Sequence, residues 1–123
     1  MRMLIVDDSM TMRRYLHAIA GELAIEADQA VDGQDAMNRL DARNAEFDVA
    51  LVDWDMPRMN GVQFVRAVRA RPCFSDMKLM MVTAHNAMAD IREALAAGAD
   101  DFLMKPLDVD MVADKLRLLG LLS

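Results

Sequence analysis

The sequence holds a single cysteine, Cys73, and a lone cysteine closes no internal disulfide. Stability therefore has to come from a packed core, in a chain suited to a reducing cytoplasm. Long apolar runs are missing as well. The longest unbroken ones are a few residues, far short of the ~20 that span a bilayer, so no membrane segment is expected. The opening MRMLIVDDS meets two aspartates almost at once, which excludes a signal peptide with its longer apolar stretch and small-residue ending. Nor is there an excess of positive charge. Lysine and arginine number 14 against 20 aspartates and glutamates, a formal charge of −6, and this argues against the basic face that non-specific nucleic-acid binding needs. No linker, low-complexity stretch or change of composition divides the chain, so residues 1–123 are read as one domain.

What is present is a soluble globular composition, 54% apolar and 28% charged, and a chain long enough to bury roughly two-thirds of its unfolded surface. The thirteen methionines are read mainly as core filler, with a few left for adaptable surface.

Apolar periodicity gives an alternating order of elements. Met3–Val6 forms a short buried run that ends in Asp7-Asp8, and Met12, Leu16, Ile19 and Leu23 then recur at helical spacing, with Gly21 near the helix end. Residues 25–30 alternate weakly as a second strand, followed by a helix with Ala36, Met37 and Leu40 on one face. Phe47–Val52 is a buried strand running into Asp53, and after Asn60-Gly61 comes a helix marked by Phe64, Val65 and Val68 and closed by Pro72. Lys78–Val82 stops at Thr83; Met88, Ile91 and Leu95 form a helix stripe with Gly98 as its cap; Asp101–Met104 ends at Lys105-Pro106. Asp108 then caps a last helix carrying Val112, Leu116 and Leu119. Five strands alternating with five helices at this spacing predict an α/β fold with a parallel sheet covered on both faces.

In such a sheet ligands bind beyond the carboxyl ends of the strands. Those ends read Asp7-Asp8, Asp53-x-Asp55, Thr83 and Lys105. Carboxylates a few ångströms apart repel by about 4 kcal/mol per close pair at an effective dielectric near 20. One lysine leaves a deficit that calls for a bound cation, and oxygen ligands with room for water suit Mg²⁺. The same groups describe a chemistry: a carboxylate nucleophile toward a phosphoryl group, with an ammonium and a hydroxyl to steady the phosphoryl oxygens.

From LIVDDS through VDWDMPRMNG and VTA to DFLMKP, the whole chain resembles the receiver domains of two-component response regulators, specifically chemotaxis-type single-domain receivers. The resemblance implies a doubly wound, flavodoxin-like fold with strand order 2-1-3-4-5. It implies that Asp53 accepts a phosphoryl group from a histidine kinase and that Asp8 binds Mg²⁺ directly. Asp7 would act as the companion acid, and the Asp55 backbone carbonyl would complete the protein's share of the metal shell. Thr83 matches the switch hydroxyl and Lys105 the phosphate-binding lysine, whose bond to Pro106 is typically cis. Phe102 stands where the family has a switching aromatic, often tyrosine, and so lacks the hydroxyl. Asp55 and His85 occupy the positions that tune loss of the phosphoryl group. Asp55 either orients attacking water or repels it; His85 is a partner contact, a rate tuner or a solvated loop residue.

Trp54 either packs the loop or touches the kinase, and His17 is placed on the polar side of its helix. Leu118, Leu121 and Leu122 lie beyond the stripe facing the sheet and are expected to form a modest exposed patch on the output face. With no effector domain after residue 123, the expected output is phosphorylation-dependent contact with a downstream target by a monomer or weak dimer. A relay intermediate passing its phosphoryl group to a phosphotransfer histidine remains open. So does an aspartate phosphatase of haloacid-dehalogenase type, although its Asp-x-Asp normally follows the first strand. A flavin mononucleotide carrier needs a phosphate-cradling loop where this chain has two aspartates. As a receiver the chain is a phosphoacceptor switch rather than an enzyme, catalysing only its own phosphorylation and dephosphorylation.

Overall fold

A computed structural model describes residues 1–43, 47–84 and 88–123. The elements run β1 Arg2–Val6, α1 Met10–Glu22, β2 Glu26–Ala30, α2 Gly33–Arg43, β3 Val49–Asp53, α3 Gly61–Arg69, β4 Lys78–Thr83, α4 Met88–Ala97, β5 Asp101–Met104 and α5 Val109–Leu118. The strands form one parallel sheet in the order β2-β1-β3-β4-β5.

Alternation along each central strand divides the core in two, because successive side chains leave a strand on opposite faces. Leu4, Val6, Ala50, Val52, Leu79 and Met81 point to one face and meet Ala36 and Leu40 of α2, Phe64, Val65 and Val68 of α3 and Ala94 of α4. Met3, Ile5, Val49, Leu51, Met80 and Val82 point to the other and meet Leu16 and Ile19 of α1 and Val112 and Leu116 of α5. Both faces are covered, so the central strands are apolar throughout, while β2, paired only with β1, keeps Glu26, Ala27, Asp28 and Gln29 at least partly exposed. No helix among the described residues is long and apolar enough to cross a membrane.

Helix starts follow their caps. The Ser9 hydroxyl accepts from the Met12 amide, Asp108 from the Met111 amide at 2.9 Å, and Asn60 and Gln63 form a reciprocal box at 2.9 Å each way. Three helix ends share one closure, in which a left-handed residue lets two amides return to the last turn. Gly98 plays that part after α4 (φ +121°) and Gly120 after α5 (φ +77°). After α1 the left-handed residue is Ala24 (φ +58°), not a glycine; Gly21 lies inside the helix.

Several expectations change. β3 begins at Val49 and includes Asp53, with Phe47 buried ahead of it. Arg69 is the last residue of α3, and Pro72 opens a short 3-10 turn, Pro72–Phe74. The buried face of α4 is Ile91 and Ala94, whereas Met88 and Leu95 are exposed: small Ala94 fits against the sheet and turns the larger residues outward. Beyond α5, the Gly120 turn brings Leu121 and Leu122 back onto the core beside α5, and only Leu118 of the three leucines stays exposed, at 77%. His17 is exposed on α1, as expected.

Candidate functional site

Sheet order reverses direction between β1 and β3, and there the carboxyl ends of the strands gather the charged residues. Asp7 follows β1 directly, held by its amide on the Ala30 carbonyl at 3.1 Å. Asp53 ends β3, registered against Val82, so that Thr83 is one residue further along the neighbouring strand. The Lys105 amide continues the β4–β5 ladder by donating to the Thr83 carbonyl at 2.8 Å. From that position the lysine reaches across β4, and its Nζ donates to Asp53 Oδ1 at 2.9 Å. The Lys105-Pro106 peptide is cis, in line with the family resemblance.

Asp7, Asp53 and Thr83 are buried at 1%, 6% and 1% exposure, and Asp8 stands at the open side. One carboxylate oxygen from each of Asp7, Asp8 and Asp53 lies within 4.8 Å of the others. The Ser9 amide satisfies Asp7 Oδ1 at 2.8 Å, while Asp7 Oδ2 is buried and accepts no hydrogen bond. Burial pushes the Asp7 carboxyl up to about 6; the Ser9 amide and Lys105 pull the other way, and Asp53 and Asp8 add repulsion. Burial likewise raises Asp53, against the pull of Lys105. The lysine is itself held above its usual range, since burial lowers it but its bond to Asp53, with further attraction from Asp7 and Asp55, outweighs the loss. A divalent cation fits this donor set: hard oxygens, a buried lone pair with no partner, and negative charge in excess of one ammonium.

Asp55 is exposed on the loop after β3, and Trp54 is half-buried and packs against the core, the first of the two roles open to it. Phe102 is half-buried at the β4–β5 side, with the Lys115 ammonium 5.2 Å from its ring centre. His85 lies outside the described residues.

Sequence reasoning passed over three features. Arg13 donates to the Asp7 carbonyl at 2.7 Å, steadying the β1–α1 turn. Gly61 allows α3 to start against the acidic residue itself, because a Cβ there would sit 2.5 Å from the Asp53 carbonyl oxygen. The Asn60-Gly61 pair carried that signal, a capping residue followed by one without a side chain. The third, an ion pair of Arg58 with Asp32 at 2.7 Å, joins residues 26 apart and has no local signature.

Comparison with known proteins agrees with this arrangement. The family model described as the response regulator receiver domain matches residues 3–117. The chain is 37% identical over 118 residues to chemotaxis protein CheY1 of Helicobacter pylori, spanning 95% of this chain and 94% of that relative. It is 35% identical over 121 residues to a CheY homologue of Campylobacter jejuni, spanning 95% and 90%. Chemotaxis protein CheY4 of Vibrio cholerae superposes with a TM-score of 0.89 at 30% identity, covering 96% of this chain and 97% of that one. Fold, charged edge and matches converge: the chain belongs to the response regulator receiver domains, among their CheY-like chemotaxis members.

Proposed function

We propose that the chain is a stand-alone phosphorylation switch in which Asp53 takes a phosphoryl group from a phosphohistidine of a histidine kinase. The observation that carries this reading is the 2.9 Å bond from Lys105 to a buried Asp53 whose oxygens share a small space with Asp7 and Asp8. An Asp53 carboxylate oxygen attacks phosphorus, the P–N bond breaks, and its electron pair leaves with the imidazole, which takes a proton. Lys105 stays beside Asp53 and neutralises charge gathering on the phosphoryl oxygens, and the Thr83 hydroxyl donates to one of them. Asp7, Asp8, Asp53 and the Asp55 carbonyl are the groups that would hold Mg²⁺, which when bound supplies the remaining positive charge at the phosphoryl oxygens. Phe102, free of a hydroxyl, follows Thr83 inward and reshapes the surface offered to a downstream protein.

A groove of about 390 Å³ lined by Met12, Tyr15, Lys105, Pro106 and Leu107 flanks the lysine, and it suits the apolar face of the kinase's histidine-bearing helix. The Asp53-x-Asp55 pair follows the third strand in chain order, β3, whereas an aspartate phosphatase of haloacid-dehalogenase type carries it after the first, and this favours a phosphoacceptor. The test is intact mass after incubation with acetyl phosphate and Mg²⁺. Wild-type protein gains one phosphoryl group and Asp53→Asn gains none; an unmodified wild type defeats the reading.

A further inference from the structure

The loop from Trp54 to Asn60 carries Asp55 past the acidic site, and its two ends are tied down. The Trp54 amide donates to the Val82 carbonyl at 3.1 Å, and the Gly61 amide donates to the Trp54 carbonyl at 3.0 Å. Between these ties the chain makes a three-residue turn, with the Met59 amide on the Pro57 carbonyl at 2.7 Å and Arg58 at φ +66°. A left-handed residue with a long side chain persists only where surrounding contacts hold it. Backbone preference alone would put glycine at this position, so the arginine side chain has to be accounted for.

Its guanidinium crosses to Asp32, in the β2–α2 connection, at 2.7 Å. Asp32 is 9% exposed, and its other oxygen caps α2 by accepting from the Asp35 amide at 2.8 Å. The next residue in each segment makes a second contact. Met59 lies so close to Gly33 that a Cβ on the glycine would fall 2.6 Å from the methionine sulfur. The two contacts close a groove of about 260 Å³ lined by Asp32, Gln34, Pro57, Arg58 and Met59. Asp32 and Gly33 belong to the start of a helix packed on the sheet, so they form a fixed post.

We infer that Arg58 is a positioning residue: through its ion pair with Asp32 it clasps the loop after β3 to the start of α2 and sets where Asp55 stands relative to Asp7, Asp8 and Asp53. This inference rests on the function proposed above and adds a residue to that site. The clasp acts through the loop, touching neither the metal-binding oxygens nor the phosphoryl position.

The test is Mg²⁺ affinity without any phosphodonor, read by Trp54 fluorescence and independently by isothermal calorimetry, with unfolding temperature measured alongside. Arg58→Gly is expected to relax the backbone and raise the unfolding temperature, yet to weaken Mg²⁺ binding by about threefold to tenfold, toward the low end for outer partners of a metal site. Arg58→Gln and Asp32→Asn should each give a comparable loss, their combination should lose no more than either alone, and Arg58→Lys should return to within about twofold of wild type. The inference is overturned if Arg58→Gly binds Mg²⁺ within twofold of wild type, if the two single losses add in the double variant, or if Arg58→Lys fails to restore affinity. A wild type that binds Mg²⁺ but takes up no phosphoryl group sinks the switch and leaves the clasp to be judged on the titration; one that binds no Mg²⁺ sinks both.

Discussion

The two ends of the sheet are both rich in acids, and they treat them in opposite ways. At the amino-terminal edge Glu26, Asp28, Asp48 and Asp100 are each answered. Arg2 meets Glu26 at 2.6 Å and Asp28 at 3.2 Å, and its amide donates to Asp48 at 2.9 Å. Asp100 accepts the Leu79 amide at 2.8 Å and the Arg69 guanidinium at 2.9 Å, joining two strands and a helix. At the carboxyl edge three carboxylates converge on one space, Lys105 bonds to one of them, and Asp7 Oδ2 is buried with no hydrogen bond. Charge that is matched works as mortar. Charge left in excess is a standing demand for a ligand, and it costs the fold stability until a counter-charge arrives.

The sharpest way to break the contrast is to remove the cation bonded to Asp53. Lys105→Met should slow the initial rate of phosphoryl uptake from acetyl phosphate by about 100-fold, in the range seen when a charge-stabilising donor is lost, measured by mass at timed intervals. Uptake within tenfold of wild type would mean that the lysine only neutralises Asp53 at rest.

Next in size is a substitution that should stabilise by damaging the site. Asp7→Asn is expected to raise metal-free stability at pH 7, on the order of 2 kcal/mol by denaturant unfolding, while abolishing the Mg²⁺ response. The pH dependence has a definite sign. The folded Asp7 titrates near 6 and the unfolded one near 3.8, so between those values the folded chain binds the extra proton. Its penalty is absent at the acid end and grows as pH rises through 6; the advantage of Asp7→Asn should therefore shrink from pH 7 to pH 4. Asp53, also pushed up, works in the same direction, whereas Asp32 is held below its usual range by the Asp35 amide and then by Arg58, so it costs stability only when pH falls through the acid end.

The matched edge should answer the other way. Arg69→Met removes the partner of Asp100 and the donor to the Gly98 carbonyl, and about 1–2 kcal/mol of stability should go with no change in Mg²⁺ affinity. A variant as stable as wild type would undo the comparison from that side. The smallest effect lies away from both edges: Ala24→Gly should stabilise by about 0.5 kcal/mol, because glycine removes the left-handed penalty but loses more freedom on folding. Thermal unfolding of the pair resolves this.

Much of this is legible in the sequence alone. Apolar runs that stop at Asp7, Asp53, Thr83 and Lys105 mark four strand ends because a buried apolar strand seldom runs on past a polar or charged side chain, and five strands alternating with five helices leave few arrangements of the sheet. The acidic site was legible for the same reason, since all its members sit at strand ends. What stayed hidden depends on partners distant in sequence. Ala24 in a glycine's role follows from how α1 meets β2; the inward return of Leu121 and Leu122 follows from the turn at Gly120; the exposure of Met88 and Leu95 follows from the fit of Ala94. Arg58 looks like any surface arginine until Asp32 is seen beside it.

The closeness of Gly98 to Arg69 reaches beyond this one chain. A Cβ at 98 would fall 2.5 Å from the arginine's Cγ, across 29 positions of sequence, and the same arginine donates to the Gly98 carbonyl. The two sites therefore share one volume. Among relatives that keep this fold, a side chain gained at 98 meets two obstacles, the φ of +121° and the arginine, so a full-length arginine at 69 should travel with glycine at 98, while a shorter residue at 69 removes the second obstacle only.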